Sequence, residues 1–222
     1  MPDPFVHLHV HSDYSLLDGA CDVNKLVALA KAQGMSSVAL TDHGNLFGAW
    51  SFHAAARAAG IKPILGCELY VAKSPDHRTP AGEPGFQDGY NHLIVLCENE
   101  AGYRNLTSFV SEASLHGFYY KPRISKEFLA AHAQGLIALS ACLKGEVQEE
   151  LLAGRPEAAR AAAGGFRDIF GPENFLLEIQ NQGLEQEHRI RDGLLDLSRA
   201  TGLPLVATND CHYLTAGDAR MH

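Results

Sequence analysis

The chain has 222 residues and a formal net charge of −8, enough for one large α/β domain and the wrong sign for a surface that grips nucleic acid unaided. A nucleic-acid substrate brought by another domain, or drawn in by bound cations, stays compatible with that charge. No run is long enough to cross a membrane, the N-terminus has no signal-peptide pattern, and five scattered cysteines argue for a reducing cytoplasm over a disulfide framework.

Phe5 to Val10 reads as a strand. Asp22 then caps a helix whose apolar positions Val23, Leu26, Val27 and Ala30 fall on one face, ended by Gly34. Ser37 to Leu40 is a second strand, followed by an Ala-rich helix from Leu46 to Ala59. Pro63 to Val71 is a third strand. The stretch from Lys73 to Asn91, rich in Gly, Pro and Asp, has no helical period and reads as a protruding hairpin. Leu93 to Cys97 is a fourth strand, and Leu106, Phe109, Val110 and Ala113 mark the next helix. A shorter helix over Lys126 to His132 leads to a fifth strand, Leu136 to Ser140. Helices over Glu146 to Leu152 and Glu157 to Phe170 precede a sixth strand, Phe175 to Ile179. A helix from Glu185 to Ala200, ended by Gly202, leads to a seventh strand, Leu203 to Ala207.

Strands alternating with helices predict an α/β fold with a mostly parallel sheet, which closed on itself would be a barrel. The third and fourth strands have no helix between them, so the fourth is expected to return antiparallel. No linker or composition shift divides residues 1–215, which read as one domain. Residues 216–222 read as the start of a connection to a following region.

Twelve histidines are unusual, and they need a local explanation. The first strand carries His7, His9 and His11, and alternate side chains on a strand share a face at about 7 Å. Alone, this pattern fits a metal site and a polar interior of hydrogen-bonded histidines equally well. The pattern recurs at other strand ends, however. Thr41-Asp42-His43-Gly44 follows the second strand, Glu68 lies on the third, and Cys142 follows the fifth. Asn209-Asp210-Cys211-His212 follows the seventh, and Asp18 lies in the loop after the first. The C-terminal ends of barrel strands build active sites. Acids and histidines gathered there repel or go unpaired unless cations lie between them. His92 begins the fourth strand, and an antiparallel return brings it to the same rim. Nine candidate ligands, His9, His11, Asp18, His43, Glu68, His92, Cys142, Asp210 and His212, exceed the needs of one zinc. They suit a multinuclear site of the kind that activates water and clamps a phosphoryl centre. No P-loop, dinucleotide fingerprint, zincin motif or nucleophile elbow competes with that chemistry.

These motifs resemble the PHP (polymerase and histidinol phosphatase) family. The runs HLHVHSDYSLLDGA, TDHGNLFGA, GIKPILGCELYVA, NHLIVLCENEAGYRNL, GFYYKPRI, EIQNQG and LVATNDCHYL are similar to its form in bacterial replicative DNA polymerases. The resemblance covers essentially the whole chain. It implies a distorted seven-stranded (β/α)7 barrel with three divalent metals, zinc or manganese, with iron as a further candidate. It assigns His9, His11, Glu68 and Asp210 to one metal, Glu68 as a bridge with His92 and Cys142 to a second, and Asp18, His43 and His212 to a third. It further implies catalytic roles for Asp210, Glu68 and His11 and a 3′→5′ exonuclease acting on a DNA end. Its implied partners are polymerase domains of the same chain and other replisome subunits. The alternatives are a catalytically silent metal-binding scaffold of the polymerase and a stand-alone phosphatase of a small metabolite.

The remaining polar residues have plainer readings. Asp42, Thr41, Thr208 and Asn209 either orient ligand imidazoles or cap turns. His7 suits a hydrogen-bonded interior role, and His53, His77, His116, His132, His188 and His222 suit surface or structural roles. Cys67 and Cys97 read as core residues, and Cys211 should point away from the ligands. Lys121, Arg123 and Lys144, near Tyr119 and Tyr120, read as part of a solvated loop, with contact to a DNA phosphate and a stacked base as the competing reading.

Overall fold

A computed structural model describes residues 5–78 and 89–220. Its strands are β1 (Ser37–Leu40), β2 (Lys62–Ala72), β3 (Tyr90–Cys97), β4 (Phe118–Tyr119), β5 (Lys121–Ile124), β6 (Leu136–Leu139), β7 (Phe175–Ile179) and β8 (Leu205–Ala207). Its helices are α1 (Val23–Ala32), α2 (Ala49–Ala59), α3 (Glu100–Leu115), α4 (Lys126–Ala131), α5 (Glu146–Leu152), α6 (Pro156–Phe170) and α7 (Glu185–Thr201), followed by a 3₁₀ turn over Ala216–Arg220. Among the described residues no helix is long and apolar enough to cross a membrane.

Local chemistry explains most boundaries. The Asp22 carboxylate accepts from the Lys25 N–H to start α1, and Ser125 does the same for the Phe128 N–H of α4. Gly60 and Gly202 end α2 and α7 in the left-handed conformation that spares glycine a Cβ clash.

The strands form a curled sheet in the order β4-β5-β2-β3-β6-β7-β8, with β1 pairing alongside β2. β2 and β3 run antiparallel from Gly66↔Leu96 to Ala72↔Tyr90, which is the return the sequence predicted and brings His92 to the rim beside Glu68. The tip of the expected Lys73–Asn91 hairpin, residues 79–88, lies outside the described residues.

Both faces of the sheet are buried. Leu93 and Val95 of β3 face a large core shared with α3, α6 and α7, whereas Ile94 and Leu96 face an inner layer with Ala39, Leu139 and Ala141. A third cluster joins Val10 and Val38 to α1 and α2.

Two expectations need correction. Phe5 to Val10 is not a regular strand. The segment from His7 divides its backbone bonds between two neighbours: His7 and Val10 carbonyls accept from Ala39 and Thr41 on one side, while His11 N–H and His9 carbonyl bond to Cys211 on the other. The Thr41 hydroxyl takes the Val10 N–H, so only isolated bridges form and no continuous ladder develops. A complete ring of seven regular strands is therefore not what the sheet displays. The second correction is the supposed solvated loop around Tyr119 to Arg123. It is a short hairpin, β4–β5, whose second strand pairs in parallel with β2 at Tyr70↔Arg123 and Val71↔Ile124. Arg123 is buried there, donating to the Gly117 and His77 carbonyls.

Candidate metal centre

The nine predicted ligands meet at one end of the curled sheet. His9 and His11 are fully buried on the irregular first segment, and Glu68 lies on β2 between them and β3. His9 Nε2 stands 2.7 Å from Glu68 Oε2, 3.0 Å from Asp210 Oδ1 and 3.1 Å from His11 Nε2. His11 Nε2 lies 3.1 Å from Glu68 Oε2 and 3.2 Å from Asp210 Oδ1. The other Glu68 oxygen, Oε1, contacts His92 Nδ1 and lies 3.3 Å from His43 Nδ1. Asp18 Oδ2 is 3.2 Å from His43 Nε2 and 4.0 Å from His212 Nε2. Cys142 Sγ lies 3.8 Å from His92 Nδ1.

Three groups of donor atoms are compact enough to share a cation: His9, His11, Glu68 and Asp210; His43, Glu68 and His92; and His11, His43 and His212. The first matches the set assigned to one metal. The other two differ in detail from the expected apportionment. His43 approaches the Glu68–His92 pair, and His11 joins His43 and His212, its ring tilted against the first at 4.1 Å and stacked on the second at 4.2 Å. Glu68, His11 and His43 thus each belong to two groups. Buried Glu68 Oε1, Asp210 Oδ1 and His43 Nδ1 crowd their neighbours without hydrogen bonds of ordinary geometry. Converging lone pairs with that mixture of imidazole and carboxylate donors fit divalent transition metals.

Imidazoles and carboxylates packed this closely set one another's charge. Burial disfavours the His11 imidazolium, but Asp210 and Glu68 outweigh it and bring its pKa to about 9. Burial likewise opposes charge on His9, yet Asp210 and Glu178 raise its pKa well above the ordinary value. The carboxyl of Glu68 is pushed up by burial and pulled further down by His92, His11, His43 and His9, so it stays ionised. Asp210 is held down in the same way by His9 and His11. The Cys142 thiol is pushed well up by burial and by the Glu68 and Asp210 charges, so its use as a ligand requires a cation to displace its proton.

A supporting layer fixes the rings. Glu178 on β7 accepts from His9 Nδ1 at 2.8 Å, and the Thr208 hydroxyl and the Gln180 amide at 3.0 Å donate to the same Glu178 oxygen. His11 Nδ1 lies 3.0 Å from the Ser15 hydroxyl, which donates to Asp42. Asp42 also receives the Ser12 N–H and hydroxyl. Asp42 therefore acts on His11 through Ser15, Thr41 ties down the Val10 backbone between two ligands, and Thr208 steadies Glu178. Asn209 contributes its carbonyl to Gln182. Glu178 and Ser15 were not singled out from sequence. The available signal was a lone acid inside the apolar run FLLEI, and a serine four residues after His11. Cys211 faces His7 at 3.5 Å, away from the cluster.

Backbone strain marks the same rim. Among the described residues, three non-glycines carry positive φ: Asp210 at 47°, Ala141 at 65° and Tyr120 at 58°. Such conformations persist where the surroundings over-determine them.

The curled α/β sheet and its rim of imidazoles and carboxylates define the class: the chain belongs to the PHP domain family, whose model matches residues 7–182. Asp210 and His212 lie beyond that match yet reach the same cluster. Within the family, the chain is similar to DNA polymerase III subunit alpha of Treponema pallidum, 50% identical over 215 residues, which is 97% of this chain and 18% of that protein. The subunit alpha of Saccharopolyspora erythraea is 45% identical over 237 residues, covering 99% of this chain and 20% of its own length. The chain thus spans about a fifth of these relatives. Among solved structures, a protein of Bifidobacterium adolescentis assigned as a metal-dependent phosphoesterase aligns with a TM-score of 0.56 at 16% identity, over 94% of this chain and 87% of that one. At that identity the likeness speaks for the fold.

Proposed function

We propose that this PHP domain is part of a bacterial DNA polymerase III alpha chain in the cytoplasm, and that it hydrolyses phosphodiester bonds at a DNA 3′ end as a proofreading 3′→5′ exonuclease. The convergence of His9, His11, Glu68 and Asp210 on one buried point carries this reading. Similarity to polymerase chains about five times longer favours it over a stand-alone small-molecule phosphatase.

In this reading His9, His11, Glu68 and Asp210 would hold one ion, Glu68 with His92 and Cys142 a second, and Asp18, His43 and His212 a third. Zn²⁺ or Mn²⁺, or Fe²⁺, would supply Lewis acidity and an acidified water there. Asp210, Glu68 and His11 are the catalytic set because each bears on the shared centre of the cluster. The fold is then a distorted seven-stranded barrel with His7–Ser12 as its irregular stave, a reading supported by the bonds of that segment to Ala39, Thr41 and Cys211. The DNA end, the remaining polymerase domains and other replisome subunits are its partners. Digestion of a labelled mismatched primer with added Mn²⁺ tests the activity. Release of 3′ nucleotides that disappears in His9→Ala and Asp210→Asn is expected, and equal digestion by those variants would sink the proposal.

A second reading, a metal-stapled scaffold without turnover, is favoured by one observation. His9 and His11 come from one end of the chain, and Asp210 and His212 from the other. Stabilisation by metal with no nucleotide release from any primer would select it.

A further inference from the structure

We infer that the β4–β5 hairpin is a binding site for single-stranded DNA that leads the strand into the metal centre, with Tyr120 stacking a base and Lys121 holding a backbone phosphate. This inference rests on the phosphodiesterase reading and adds to it the route by which the substrate arrives.

Position is the first argument. The hairpin packs directly on the ligand loops. A Cβ on Gly44, next to His43, would come within 2.7 Å of the Pro122 ring and 3.0 Å of the Tyr70 ring. In the parallel pairing of β5 with β2, Arg123 is level with Tyr70. Lys121 therefore runs beside the step of β2 that carries Glu68, two residues earlier. The Lys121 ammonium lies 5.4 Å from the centre of the Tyr70 ring. That same ring lies 6.0 Å from the His43 ring and 5.3 Å from the His92 ring. One aromatic ring thus separates a cation from two candidate ligands. On a chain of net charge −8, a lysine held there supplies the positive charge that a strand's next phosphates need.

Exposure is the second. Tyr120 is 82% exposed and Phe118 64% exposed. The Tyr119 and Tyr120 rings meet edge to face at 4.8 Å, and the Arg123 guanidinium lies 5.4 Å from the Tyr119 ring. Arg123 is itself buried and fixed by two carbonyls, so the platform has a rigid base. An aromatic platform followed at once by a cation is the general means of binding a single strand without reading its sequence.

Strain is the third. Of the three described non-glycines with positive φ, Asp210 is a candidate ligand and Ala141 precedes Cys142. Tyr120 is the other. A glycine would adopt this turn with less strain, so the tyrosine ring is kept at a conformational cost. A merely structural turn gives no reason for that choice.

The natural protein, loaded with Mn²⁺ and bound to an oligonucleotide carrying 5-iodouracil near its 3′ end, is irradiated, and the adduct is mapped by peptide mass spectrometry. An adduct on Tyr119 or Tyr120, lost in Tyr120→Gly, is expected. Tyr120→Gly should keep or raise the thermal midpoint, which separates loss of the platform from loss of the fold. Lys121→Gln should raise KM for single-stranded DNA about fivefold or more, in line with loss of a phosphate contact, with a smaller change in kcat. Adducts that map only outside residues 118–121, or an adduct and KM unchanged in both variants, overturn the inference. An adduct at Tyr120 in a protein that releases no nucleotide upholds the strand site and instead removes the exonuclease reading.

Discussion

A carboxylate inside an apolar strand is costly unless its oxygens are satisfied. Glu178 is buried, flanked by Leu177 and Ile179, and its Oε1 receives His9, Thr208 and Gln180. Acceptance from His9 Nδ1 leaves Nε2 directed at Glu68 and Asp210, where a cation would have to displace its proton. Glu178→Gln preserves shape and removes the charge. Metal titration of the variant should give an affinity for the His9–His11 site about 10- to 100-fold weaker than wild type, with a smaller loss for Thr208→Val. Unchanged affinity would show that Glu178 is only a packing residue. At this scale the nine candidate ligands were legible because metal-binding residue types stand out at strand ends. Glu178 was not, because one acid in a strand reads as an outward-facing residue until the neighbouring sheet order is known.

Elements carry their own dependence on pH. The segment before the undescribed tip of the β2–β3 connection is tied to α3 through Glu112, which contacts His77, Arg78 and His116 at 3.1, 2.7 and 2.7 Å. The hydrogen bond from His116 leads the effects that bring the Glu112 carboxyl down to about 2 from an ordinary 4.5. A depressed carboxyl pKa contributes stability above pH 4.5, and that contribution drains away as pH falls toward 2. Glu112→Gln should therefore lower the thermal midpoint near pH 6 by about 2–4 °C, as expected for a loss of about 1 kcal/mol in a domain of this size. Unfolding curves for the two proteins should converge as pH falls from 4.5 toward 2, and a constant gap would refute the assignment. Strands and helices longer than four residues were legible from period and caps, down to the Asp22 and Gly202 boundaries. The β4–β5 hairpin was not. Two-residue Phe118–Tyr119 offers no alternation to read, and the partner of β5 on β2 lies about 50 residues away in sequence. The first segment failed for the opposite reason: its apolar–histidine alternation is strand-like, but its bonding is split between two neighbours.

Across the whole molecule, metal should act on stability as well as chemistry, because a ligand that binds only the folded state stabilises it by mass action. Removing metal with a chelator should lower the thermal midpoint by several degrees. Restoring Mn²⁺ or Zn²⁺ to about 100 times its dissociation constant should return roughly 2.7 kcal/mol per site. A midpoint indifferent to both treatments would exclude a cation at the cluster. The net charge of −8 gave no hint of strand binding, since a single lysine placed beside a metal centre does not register in a total.

The split bonding of the first segment also orders events during synthesis. Val10 and His9 wait for Cys211, and the His9–His11 donors wait for Asp210, some 200 residues later. A nascent chain emerging from the ribosome therefore presents an incomplete His9–His11 donor set until the residues after β8 dock. Under the proposed metal assignment, capture of the first ion is then a late event, and a chain truncated before residue 210 should leave the ribosome unable to hold that ion.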